Sequence, residues 1–168
     1  MSLYAAMLFL HVLGVVVWVG GMFLMHVAVR PVAVAQLAPP QRLPLLADIL
    51  GRFFGWVTVS VLVVLATGVA MIIGIGAAAG AAAAGQSAFG EGMRLAHGSV
   101  HAMFALGVLM SLIFAVIRLV PYPRLRDAVA MQQWPAAAGR LDLIRRLVAT
   151  NLALGVVTIA AATVGRSF

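Results

Sequence analysis

The sequence predicts an all-α membrane protein, an antiparallel bundle of four transmembrane helices, and three observations carry that reading. The first is composition. Of 168 residues, 64% are hydrophobic and 9% charged, and the mean hydropathy is +1.13. Soluble domains are about half apolar and about a quarter charged, so lipid must solvate much of this surface. The second is the length of the apolar runs, four of which reach the roughly 20 residues a spanning helix needs. The third is the placement of arginine, which gives the bundle a direction.

The runs cover residues 4–29, 53–76, 95–119 and 147–164, in a single domain spanning 1–168. The first lacks a basic start, is too long for a signal core and has no small-residue cleavage site after it, so it reads as a span and not a leader. Pro31 should stop it. Residues 30–52 follow with Arg30, Arg42, Arg52, four prolines and Asp48, and 43–50 could form a short interfacial helix. After the second span, residues 77–91 are rich in Ala and Gly. The alanines can prolong that span, and the glycines read as a flexible loop tip. Pro121 and Pro123 end the third run. Pro135 suits the first turn of a new helix, one that starts near Ala136 and runs on into the fourth span.

All eleven basic residues are arginine. Nine lie in the first and third connections: Arg30, Arg42, Arg52, Arg118, Arg124, Arg126, Arg140, Arg145 and Arg146. Only Arg94 and Arg166 lie elsewhere. Cytoplasmic loops carry the excess of basic residues, so both termini are expected on the periplasmic side of a bacterial-type inner membrane. The net charge of +7 would suit nucleic acid in a polar chain. Here no basic stripe, aromatic platform or motif supports that, and the arginines read as loop markers in contact with anionic lipid.

Absences narrow the chemistry. With no cysteine there is no disulfide, thiolate metal site or cysteine nucleophile. No Walker loop, GxSxG or HExxH is present. Asp48, Glu91, Asp127 and Asp142 all read as loop residues, which argues against a proton relay through buried acids. Thr58, Ser60 and Thr67 can bond back along their own helix. Trp18 reads as bundle packing, and Trp56 and Trp134 as interfacial anchors.

The histidines carry the functional signal. By helical rise, His11 lies about 9 Å, His101 about 8 Å and His97 about 13 Å to the periplasmic side of the bilayer centre. His26 falls about 22 Å further along the first span than His11, at the opposite face. Buried ionisable groups in a membrane usually face the bundle interior. His97 and His101, at i and i+4, share a helix face, which Met93 prolongs. Two readings are open. In one, His11 and His101, with His97 as alternate, are the axial ligands of a haem b between helices 1 and 3. Gly14, Gly98 and Gly107 would then admit the macrocycle, and Arg94 would pair with propionates. In the other, His11, His97, His101 and Met93 bind copper, which takes imidazole and thioether ligands. Histidines that only bond a neighbouring helix are the plain alternative. That suits His26, near the headgroups, unless it forms a second site with Asn151. Met22 and Met25 beside it read as packing. Gly20 and Gly21 allow close helix approach.

The stretch Leu10-His11-Val12-Leu13-Gly14-Val15-Val16-Val17-Trp18-Val19-Gly20-Gly21 resembles the opening helix of the CopD (copper resistance protein D) membrane proteins and of the related HemJ proteins of haem biosynthesis. The resemblance extends more loosely over all four spans. It implies copper uptake or resistance on the CopD side, and bound haem b with an oxidoreductase activity on the HemJ side. His11 is the residue it carries over. HemJ-like proteins also hold an intramembrane lysine, and this chain has none. The combined expectation is a small CopD-like protein with haem b near the periplasmic face. It would move electrons between a periplasmic redox partner and a quinone, with copper binding or transport as the alternative and a homo-oligomer left open.

Overall fold

A computed structural model describes residues 2–80, 85, 87–96 and 98–164. Six helices follow one another: α1 (Leu3–Gln36), α2 (Pro39–Ala78), α3 (Ala88–Leu95), α4 (Gly98–Leu119), α5 (Pro121–Ala130) and α6 (Trp134–Val164). Four stretches are long and apolar enough to cross a membrane: α1, α2, α4 with α5, and α6.

Four helices long and apolar enough to cross a membrane are present, as the sequence predicts, and the connections differ from its reading. Pro31 does not stop the first helix, which runs on to Gln36. A proline ring normally clashes with the carbonyl four residues back, here that of Val27. That carbonyl lies in a π-helical turn, Met25–Val29, whose wider winding moves it away. A second π turn covers Val16–Gly20. The expected interfacial helix at 43–50 is instead the start of the 40-residue α2. Pro39 and Pro40 occupy the first turn of α2, where no N–H is needed, and Pro44 lies inside it at the loss of one backbone bond.

The four acids expected in loops are all helical. Asp48 lies on α2, Glu91 on α3, Asp127 on α5 and Asp142 on α6. Pro121 does end α4, and it opens α5 at the same point. Pro135 is the second residue of α6.

Residues 88–91 of the Ala/Gly connection belong to α3, and the expected loop tip at 81–84 and 86 lies outside the described residues. Ser87 caps α3, its Oγ accepting from the Gly90 N–H at 3.1 Å. α3 then packs back along the end of α2 through two glycines. A Cβ on Gly92 would collide with the carbonyl of Ile72, and one on Gly76 with the carbonyl of Ala88. We expect Gly92→Ala to destabilise by about 1–3 kcal/mol, since backbone must shift to admit the methyl. Gly74→Ala is the control, because its Cβ would meet nothing within 4 Å. Thermal melting in detergent compares the two, and equal midpoints would refute the close contact.

The core sits at one end of the bundle. Trp18 and Met22 of α1, Leu43, Leu50, Phe54 and Val57 of α2, Phe114 and Ile117 of α4, Leu125 of α5 and Ile144 of α6 form one buried cluster. Phe54 is its hub. Its ring centroid is 5.8 Å from Phe114 and 5.2 Å from Tyr122, both edge-on. Trp18 meets Phe114 at 6.4 Å. Gly21 lets the Phe53 ring approach α1, while Gly20 faces open space. These residues belong to the arginine-rich end. Toward the other end α1 lies on α2 and α4 on α6, and fewer side chains are buried.

Candidate functional site

His11 stands in that less densely packed half, partly buried on α1 against α2. Its Nδ1 is 2.9 Å from Thr67 Oγ1. Thr67 Oγ1 is also 2.6 Å from the Val63 carbonyl and 3.3 Å from that of Val64. A threonine hydroxyl has one proton. The carbonyl one turn back takes it, so the oxygen must accept from the imidazole. The pattern therefore assigns the proton to Nδ1 of His11 and leaves the Nε2 lone pair unused by Thr67. Metal-ligating histidines are commonly prepared in this way, one ring nitrogen donating to a protein acceptor while the other binds. Gly68 lies beside the ring. A Cβ there would come within 3.4 Å of His11 Cε1.

Thr67 is the residue that sequence reasoning missed. It reads as an ordinary back-bonding threonine, and that bond is present. The same oxygen orients His11 from 56 residues away, a pairing no local pattern reveals. The following Gly68 is the only nearby signal.

The other site candidates lie on different elements. His101 lies in the first turn of α4, on an exposed position. His97 lies outside the described residues. Met93 does not prolong the face of His101, because α3 ends at Leu95 and Ala96 is extended with ψ 145°. Arg94 sits on α3 and forms a salt bridge with Glu91, its Nη2 2.5 Å from Oε1. That pairing holds the Glu91 carboxyl below the usual carboxylate range. Gly14 is buried, and a Cβ there would lie 2.7 Å from Val64 Cγ2 and 3.3 Å from the Ser60 carbonyl. Packing on α2 accounts for its missing side chain. Gly98 and Gly107 face open space. Among the described residues no three His, Cys, Asp or Glu side chains are grouped closely enough to hold a metal ion. As a donor, His11 fits a metal or a haem iron as a single ligand.

At the arginine-rich end, His26 lines a cavity with Arg30 and Arg145. Asn151, only 1% exposed, is not part of that lining, and its Oδ1 has no hydrogen-bond partner among the described residues.

A family model described as Copper resistance protein D matches residues 47–164, which run from within α2 to the end of α6. No curated protein and no solved structure matches the chain. The matched range includes Thr67 and His101, while His11 and the rest of α1 precede it.

Proposed function

The chain belongs to the copper resistance protein D family, and from that premise we propose that this multi-pass membrane protein handles copper, with His11 as a ligand. The observation that supports the reading is the 2.9 Å contact of His11 Nδ1 with Thr67 Oγ1, an arrangement that would leave Nε2 for a metal. His101, His97 and Met93 are the further ligands proposed, since imidazole and thioether both suit copper. Copper is then cargo or a bound ion at the end of the bundle opposite the arginine-rich one.

One observation favours a second reading. Among the described residues no three-ligand cluster surrounds His11, and an imidazole is also a usual ligand of haem iron. In that reading His11 and His101 would hold the haem, which would supply one-electron chemistry between a periplasmic partner and a quinone.

Metal analysis and an optical spectrum of the purified protein distinguish the two. Cells replete in both copper and haem should yield protein with stoichiometric copper and no Soret band. A Soret band with a sharp reduced α band, in a copper-free preparation, would overturn the copper reading in favour of haem b.

A further inference from the structure

The bundle core holds two polar atoms that its packing does not satisfy. Trp18 on α1 is 3% exposed and Asn151 on α6 is 1% exposed. Trp18 Nε1 and Asn151 Oδ1 are buried and have no hydrogen-bond partner among the described residues. A buried indole N–H usually finds an acceptor. A buried acceptor without a donor keeps its full desolvation cost. Of these two atoms, the indole nitrogen donates and the amide oxygen accepts.

Helix register puts both in one layer. α4 and α6 are successive antiparallel spans. A Cβ on Gly155 would meet Met110 Cε at 3.2 Å, and Thr158 Oγ1 lies 3.8 Å from Met110 Sδ. One turn nearer the arginine-rich end, Phe114 on α4 is therefore opposite Asn151 on α6. The Trp18 ring stands edge-on to Phe114 with centroids 6.4 Å apart. The next residue, Val19, approaches the Gly155 position to 3.0 Å. Trp18 and Asn151 thus share a level of the bundle without bonding to each other. Trp18 also belongs to the π turn Val16–Gly20, an irregularity often found at functional positions.

We propose that an internal water is bound in this layer, accepting from the Trp18 Nε1–H and donating to Asn151 Oδ1. One water satisfies both atoms, and two polar partners meet the need of a buried water. The burial of both residues leaves no access for a lipid headgroup or an organic ligand. The water joins α1 to α6 and makes a polar step in the core between His11 and the arginine-rich end.

The test is nuclear magnetic resonance on the full-length protein in detergent, with the side chains of tryptophan and asparagine ¹⁵N-labelled. Asn151 is the sole asparagine of the chain, and Trp18→Phe identifies the Trp18 indole among the three tryptophans. The Trp18 indole N–H and the Asn151 carboxamide should each show a cross-relaxation peak to water, with the sign of a bound water and not of proton exchange. Asn151→Leu should abolish the Trp18 peak, and thermal melting checks that this variant is folded. A wild-type protein lacking the water peak at either group would overturn the assignment. So would a folded Asn151→Leu protein that keeps the Trp18 peak. The paired wild-type peaks decide the matter even if the variant does not fold.

Discussion

His11→Ala should abolish stoichiometric copper binding, whereas Thr67→Val should weaken it by about 10–100-fold, the usual cost of removing the group that orients a metal-ligating histidine. Valine matches threonine in shape and lacks the oxygen. It leaves the Nδ1–H of His11 without its acceptor at 2.9 Å and no longer fixes the tautomer. Thr67→Ser restores the oxygen and should return affinity close to wild type. Competition titrations with a copper chelator give the affinities, and thermal melting checks that the variants are folded. If Thr67→Val binds as wild type while His11→Ala does not, His11 is a ligand that needs no fixed tautomer. If both bind as wild type, copper is held elsewhere.

The largest loss of stability is expected at Phe54→Ala, about 3 kcal/mol. That is the low end of the range for Phe→Ala in a packed core, because lipid is a good solvent for the helices once separated and dispersion carries much of the packing energy. Phe54 is 1% exposed and three aromatic rings lean on it. Alanine would leave Phe114 and Tyr122 without their shared contact, and with it the seam that joins α2, α4 and α5. Phe23, 57% exposed on α1, has the same side chain where it faces outward. Phe23→Ala should stay within about 0.5 kcal/mol. Unfolding by SDS titration compares the two, and similar midpoints would mean that the aromatic seam contributes no more than an outward-facing ring.

The four spans were legible in the sequence because the demand for about 20 apolar residues acts on local composition alone. The connections were harder to read. Pro31 follows the usual rule for ending a helix, and the π turn before it, Met25–Val29, leaves no mark in the residue types. The break at Ala96 is equally silent, so Met93 and His101 read as one face and stand on two helices. α3 is short, and its order depends on Gly76 and Gly92 meeting across sixteen residues of chain, a tertiary cause that local pattern reads as flexibility. At the candidate site, His11 was legible as an ionisable group in an apolar run. Thr67 was not, because its own helix already supplies a sufficient partner at Val63. Arg30 read as a loop charge, although its Nε is buried and the residue lines the cavity between α1, α2 and α6.

The two π turns of α1 lie between His11 and Arg30. Each can be understood as one supernumerary residue taken into the helix, and each offsets everything beyond it by about 100° relative to uninterrupted winding. The two halves of α1 are therefore out of phase, one addressing Thr67 and the other the cavity beside α6. A single-residue deletion in Val16–Gly20 would give back regular winding at that turn alone and turn His26 and Arg30 away from Arg145. Along this helix, lineages that gain or lose one residue would change which partners its lower half meets while keeping His11 where it is.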